Sequence, residues 1–269
     1  MNIGMITCTY NMRIYDYKCP ADFNWGKMCE KYRKEFDKAD FLKLIGEIRN
    51  IGFNAVEIWE PMFSYQVYTE EDAREMKERL AGLGIGQIVY CIGGWVDFNI
   101  PDMDKIYRFA AALGCKVISG TLEKSDADTL PAKIEECGKR YGIRYAIENH
   151  PAPSMESPEE IAKVIAPLDY VGANPDTGIF NRQGYDALKA VELLKDRIYH
   201  CHLKDTAKDK NGCLALGDGD APLAGILKKF CEWDFPYMVS VEYEYPTDPE
   251  PGLYKSVGFI NGVLKAVKV

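Results

Sequence analysis

Short apolar, β-branched runs alternate along the chain with longer stretches whose apolar residues recur at helical spacing. Eight runs read as strands: residues 3–8 (IGMITC), 54–59 (NAVEIW), 86–92 (GQIVYCI), 116–120 (KVISG), 144–149 (RYAIEN), 170–175 (YVGANP), 198–203 (IYHCHL) and 238–243 (MVSVEY). Each has a length suited to a buried parallel strand. Helical spacing marks FDKADFLKLIGEIRNIG, TEEDAREMKERLAGLG, DMDKIYRFAAALG, SDADTLPAKIEECGKRYG, GYDALKAVELLKD and the closing PGLYKSVGFINGVLKAVKV. Several of these end in glycine before the next strand, as a left-handed C-terminal cap requires. No linker or composition shift divides the chain, so the pattern predicts one (β/α)₈ TIM barrel domain over residues 1–269. An open, doubly wound sheet of eight strands is the rival arrangement.

Composition narrows the class of function. A hydrophobic share of 47% and a charged share of 28% suffice for a sizeable core and argue against disorder. The net charge of -8, with no cluster of lysine and arginine to offset it, disfavours a nucleic-acid partner. The opening MNIGMITCTYNMRIYDY lacks the basic and apolar regions of a leader, and no apolar run approaches the roughly 20 residues that a bilayer needs. A cytoplasmic protein without membrane contact is expected. The nine cysteines are scattered without CxxC pairs, which suggests reduced, mostly structural thiols.

The three histidines, His150, His200 and His202, all fall at the ends of the fifth and seventh strands. Around them stand AIENH (146–150), ANPDTG (173–178), YHCHLKD (199–205) and SVEYEY (240–245), four successive strand ends rich in metal-competent groups. Side chains alternate with period two, so Glu148 shares a face with His150, His200 with His202 and Lys204, and Glu242 with Glu244. Glu148, Asp176, His202 and Glu242 then form an oxygen-rich ligand set for one divalent cation, manganese first, with magnesium, cobalt or zinc as alternatives. Burying three carboxylates together without a cation would cost several kcal/mol per ion, on the order expected for desolvated charge.

Tyr10, Trp59 and Trp95 follow the first three strands and are candidates for a wall against which sugar C–H faces stack. Glu57, within VEIW, is read as making a structural hydrogen bond with a neighbouring strand, in preference to pointing inward near the mouth. The segment 16–38, with Tyr17, Phe23, Trp25 and Tyr32, suits either a lid over the pocket or a subunit contact. Arg182, Lys208 and Lys210 can meet a phosphate or other substrate group, but no glycine-rich phosphate cradle accompanies them. The glycines of GDG at 217–219 are read as turn formers.

Together, Glu148 in IENH, Asp176 in PDTG, His202 and Lys204 in HCHLKD, the LGDGD run at 216–220 and Glu242 in SVEYE resemble the xylose isomerase-like barrel superfamily. That group contains sugar phosphate isomerases and epimerases, inosose dehydratases and endonuclease IV. The resemblance implies that the four ligands bind one divalent metal. It also implies that Glu148 and Glu242 exchange a proton next to a substrate carbonyl through an enediolate. His150 becomes a candidate extra base, and Lys204 either a hydrogen-bond donor to substrate or the partner of Asp205 or Glu242. Ile179 and Lys208 stand where ketose 3-epimerases carry a substrate-binding His and Arg, which departs from that branch. Three histidines are too few for the trinuclear site of endonuclease IV.

The expected activity is therefore metal-dependent isomerisation or epimerisation of a sugar or polyol. The alternatives are a lyase of the inosose dehydratase or C-glycoside deglycosylating kind, and a non-catalytic sugar-binding or accessory subunit. Association into a homo-oligomer is compatible with all three readings.

Overall fold

The computed structural model describes residues 1–92, 103–207, 212–244 and 246–267. Eight parallel strands run β1 (Asn2–Ile6), β2 (Ala55–Trp59), β3 (Gln87–Cys91), β4 (Val117–Gly120), β5 (Arg144–Glu148), β6 (Val171–Asn174), β7 (Cys201–Leu203) and β8 (Met238–Val241). Their order is β6-β5-β4-β3-β2-β1-β8-β7. The β6–β7 seam is joined by bridges Ala173–Ile198 and Asp176–His202, with Tyr199 N and His202 N donating to the carbonyls of Ala173 and Pro175 at 3.0 Å. The result is a nearly closed, single-domain (β/α)₈ barrel, not the open sheet.

The surrounding helices are α1 (Trp25–Glu35), α2 (Lys38–Ile51), α3 (Glu70–Gly82), α4 (Met103–Leu113), α5 (Leu130–Tyr141), α6 (Pro158–Ile165), α7 (Thr177–Arg182), α8 (Ala187–Leu194), α9 (Leu223–Glu232) and α10 (Glu250–Val267). The α2 helix shows why they form. Asp37 caps its N-terminus by accepting from Ala39 N and Asp40 N, and Gly52 ends it in the left-handed region at φ 119°. Between these caps Phe41, Leu44, Ile45, Ile48 and Ile51 make one buried stripe. Burying each such side chain stabilises the barrel by about 1.5–3 kcal/mol. Reciprocal capping boxes, Thr69 with Asp72 and Ser157 with Glu160, start α3 and α6 in the same manner.

Two local departures from the expected pattern matter for the site. The first strand ends at Ile6, because the chain turns at Thr7 into a 3₁₀ run over Thr7–Tyr15, and Thr7 Oγ1 accepts from Trp59 N at 2.9 Å. The seventh strand is shorter than its apolar run, covering only Cys201–Leu203. Among the described residues, no helix is long and apolar enough to cross a membrane.

Candidate active site

Period-two alternation on the last four strands carries charged side chains into the barrel mouth. Glu148 ends β5, His202 sits in β7, Glu242 follows β8, and Asp176 caps α7, where its Oδ1 accepts from Ile179 N at 2.8 Å. Asn149, which points away from the mouth, clamps Asp176: its Oδ1 accepts from Asp176 N at 2.7 Å and its Nδ2 donates to Asp176 O at 3.2 Å. One ligand atom from each of Glu148, Asp176, His202 and Glu242 falls within 4.8 Å of the others. His202 Nδ1 lies 3.3 Å from Glu148 Oε1 and 3.0 Å from Glu242 Oε2.

Below this cluster the barrel interior stays polar. Glu57, wholly buried on β2, lies 2.7 Å from His200 Nε2 and 3.0 Å from His202 Nε2, and Ser119 donates to it from β4. A proton on Nε2 of His202, shared with Glu57, leaves Nδ1 to face the mouth. That is the arrangement by which an outer carboxylate fixes the tautomer and orientation of a ligating imidazole. Glu57 therefore bonds not to the neighbouring strands β1 and β3, as expected from the sequence, but across the barrel to β4 and to His200 and His202 at β7, and there it also orients His202. Sequence reading missed this second task, since no spacing rule links residues 57 and 202.

Electrostatics follow from burial and proximity. Burial by itself would raise the Glu57 carboxyl, but His200 and His202 hold it well below the usual range. Burial likewise opposes protonation of His202 and Lys204, yet the surrounding carboxylates push both well up. Asp176 is pushed up to about 6, first by burial and then by Glu242 and Glu148, against the opposing pull of Lys204. Glu242 goes the other way: burial would raise it, but Lys204 and His202 hold it low. Five carboxylates (Glu57, Glu148, Asp176, Glu242, Glu244) face one ammonium and two imidazoles, an excess of negative charge even with both rings protonated.

These residues fit a divalent cation. Asp176 Oδ2 and Glu242 Oε2 are buried and make no hydrogen bond, although Lys204 Nζ and His202 Nδ1 stand 3.0 Å from them. Buried oxygens in contact with a positive group, yet off the line that a hydrogen bond needs, suit a non-directional ion. Three carboxylates and one imidazole are also the donor set expected for a hard to borderline metal.

Above the cluster opens a cavity of about 550 Å³, lined among others by Cys8, Trp25, Cys29, Arg33, Trp59, Cys91, Glu148, His150, Arg182, His202, Lys204, Glu242 and Glu244. The segment 16–38 thus contributes a wall: Trp25 packs edge-on against Trp59 with centroids 6.3 Å apart, and Arg33 of α1 ion-pairs with buried Glu60. Trp59, His150 and Lys204 face the cavity as the alternation predicts. Tyr10 does not: the 3₁₀ turn carries it into the core at 1% exposure, where its carbonyl accepts from Tyr32 Oη at 2.8 Å. His200 lies beneath the mouth on Glu57, and Trp95, Lys208 and Lys210 lie outside the described residues. Lys204 pairs with Glu242 and not with Asp205. Asp205 instead accepts from the amides of Thr206, Gly217, Gly219 and Ala221, so LGDGD is turn structure. A Cβ on Gly219 would stand 2.2 Å from Asp205 Oδ1, which is why that position is glycine.

A parallel eight-stranded barrel with a charged cluster at the C-terminal ends of its strands is a TIM barrel, and that face is where characterised TIM-barrel enzymes carry their active sites. The sequence profile of the xylose isomerase-like TIM barrel matches residues 45–262, and the chain belongs to that family. Its members include epimerases, isomerases and dehydratases, and they typically use a divalent metal. Among curated relatives, inosose dehydratase from Mesomycoplasma hyopneumoniae (strain 7448) is 24% identical over 198 residues, which cover 63% of this chain and 64% of that one. The chain therefore spans slightly less than two thirds of that relative's length. L-ribulose 3-epimerase superposes with a TM-score of 0.76 at 14% identity, over 100% of this chain and 96% of its own. A xylose isomerase-like TIM barrel protein from Mycobacterium smegmatis, in complex with magnesium, superposes with a TM-score of 0.75 at 15% identity, over 100% and 98% of the two chains. At these identities the two superpositions show the shared fold alone.

Proposed function

We propose that this protein is a divalent-metal-dependent isomerase or epimerase of a small sugar or cyclic polyol, working by proton abstraction next to a carbonyl. The observation that carries the reading is the convergence of Glu148, Asp176, His202 and Glu242 within 4.8 Å at the floor of a cavity of about 550 Å³. That the M. smegmatis structural neighbour is a complex with magnesium supports a divalent cation in this reading. Glu148, Asp176, His202 and Glu242 would hold a divalent ion, which would supply the positive charge that acidifies a C–H next to a substrate carbonyl.

The chain's own groups do the rest. Glu242, at the cavity floor with Oε1 3.0 Å from Lys204 Nζ, is the group assigned to accept the proton. Glu148 stands across His202 from it, 3.3 Å from Nδ1, placed to return a proton to the other face of the substrate. Trp25 and Trp59 offer flat apolar faces to sugar C–H groups and keep water from the reacting carbon. Asp176, fully buried and tied to the α7 amide of Ile179, acts as a ligand only.

A second reading, a lyase that expels water after the same abstraction, is favoured by the inosose dehydratase relative and by His150, which lines the cavity two residues beyond Glu148. The two readings separate in deuterated water with manganese-loaded protein and a panel of keto-sugars and inososes. Deuterium gain with retained mass composition supports epimerisation, and loss of water supports the lyase. Neither deuterium gain nor water loss, with one manganese per chain present, would leave a binding protein and overturn both.

A further inference from the structure

Lys204 is buried to 4% exposure, and its ammonium is held by three carboxylates, one at the start of α7 and two just after β8. Nζ lies 3.0 Å from Asp176 Oδ2, 3.0 Å from Glu242 Oε1 and 3.1 Å from Glu244 Oε2. The position is built for the side chain. Its backbone N donates to Thr177 Oγ1 at 3.0 Å, and its stem runs over Gly178, where a Cβ would stand 2.7 Å from Lys204 Cγ. Glycine in the PDTG turn is thus the condition for the lysine to reach the cluster.

Glu242 divides its two oxygens between two cationic positions. Oε2 faces His202 Nδ1 at 3.0 Å, on the side of the proposed metal. Oε1 faces Lys204 Nζ at 3.0 Å and the Cys8 thiol, whose Sγ is 3.7 Å away. Cys8, Glu242 and Glu244 also bring one ligand atom each within 4.8 Å of one another, a second ligand cluster that shares Glu242 with the first. Asp176 does not divide in this way: Oδ1 is taken by Ile179 N, so Oδ2, wholly buried and without a hydrogen bond, is the one oxygen left for a cation and stands 3.0 Å from the ammonium. Two clusters that share a carboxylate have the layout of a two-metal site, in which such ions sit about 3.5–4 Å apart.

We propose that the Lys204 ammonium occupies the second cation position of this mouth, as a tethered substitute for a second metal ion, and so holds the protein at one divalent ion per chain. The proposal rests on the reading that the first cluster binds a metal. Coulomb attraction explains why one positive charge is needed there: Glu242, Glu244 and Asp176 would otherwise repel across a few ångströms of weakly screened interior. A covalently attached monocation meets that need without an exchangeable ion, and its charge repels a second one. Removing the charge while keeping the stem, by Lys204→Met, leaves three carboxylates and the Cys8 thiol facing an apolar tip. That donor set, oxygen with one sulfur, suits Co²⁺ or Zn²⁺.

The test is cobalt stoichiometry, read by elemental mass spectrometry after loading and desalting, together with the near-ultraviolet thiolate-to-cobalt absorption. Wild-type protein is expected to hold one cobalt without a thiolate band. Lys204→Met is expected to hold two and to show the band, which disappears when Cys8→Ser is added. Lys204→Gln, neutral and hydrogen-bonding, gives the same increase and serves if the methionine variant does not fold. Two ions in the wild type, or one ion in folded Lys204→Met and Lys204→Gln, would overturn the proposal while leaving the metal reading intact. No ion in the wild type would overturn the metal reading, and the proposal with it.

Discussion

The two halves of the barrel mouth are built on the same strand geometry and do opposite things. The ends of β5 to β8 carry Glu148, Asp176, His202, Lys204 and Glu242, charged groups with almost no access to water. The ends of β1 to β3 carry Cys8, Trp59 and Cys91, with Trp25 and Arg33 of α1 laid across them. Burial pushes the Cys8 and Cys91 thiols up, and Arg33 is paired with Glu60, so these groups are neutral or paired. The difference teaches that charge in this interior persists only where opposite charges converge, and that the more apolar half supplies shape. Between the halves lies Glu57, on β2 by sequence but bound to the charged half through His200 and His202.

That contrast can be broken at several points. Glu148→Gln removes a proton-transfer group from the charged half, and solvent deuterium exchange at saturating manganese is expected to fall about 10²–10⁴-fold. Metal content measured on the same sample separates a lost base from a lost ligand, and exchange at the wild-type rate would refute the assignment. Glu57→Gln leaves all four ligands in place but loosens His202. Manganese affinity, measured by chelator competition, is expected to drop about 10–100-fold, the usual cost of removing an outer-shell carboxylate. An unchanged affinity would reduce Glu57 to packing.

In the more apolar half, Trp25→Ala is expected to raise KM with little change in kcat, since an aromatic face is worth about 0.5–1.5 kcal/mol beyond its buried area. A fall in kcat alone would instead implicate Trp25 in closing the site. The smallest effect belongs to a charge outside the barrel, where water screens it. Lys38, with the amide and hydroxyl of Thr69, holds the Asp72 carboxyl down to about 2. Its folded pKa lies below the unfolded value, so its stabilisation is present above the ordinary carboxylate range and is lost as pH falls toward about 2. Asp72→Asn should lower the unfolding free energy read from urea titration at pH 7 slightly, by no more than about 1 kcal/mol for a partly exposed pair. The difference from wild type should shrink as the solution is acidified through that range.

Much of this was legible in the chain. All eight strands lie within or beside the apolar runs that announced them, because a strand buried on both faces needs a nearly continuous apolar stretch. The helices that sequence reading described, α2 for instance, carry periodic stripes with capping residues at their ends. Glu148, Asp176, His202 and Glu242 converge because period two and parallel register place strand-end side chains on one rim. The α1 helix was harder to read: WGKMCEKYRKE buries only Met28 and Tyr32, so no stripe marks it against its charges. Tyr10 misled because an aromatic just past a strand usually continues its direction, whereas here the chain turns at Thr7.

What the sequence by itself determined is the repeat, and with it the barrel and the rim on which its polar strand ends gather. These follow from local periodicity, which acts over a few residues and leaves its mark in every unit. Only the tertiary structure decided that Glu57 orients His202 across the barrel, that α1 walls the cavity with Trp25, that Asp205 ties down the 216–220 turn, and that Lys204 turns to Glu242 and Asp176. Each of these is a contact between segments far apart in the chain. It depends on curvature, stagger and the length of a connection, and no pattern along the chain encodes the distance between two side chains that only closure of the barrel brings together.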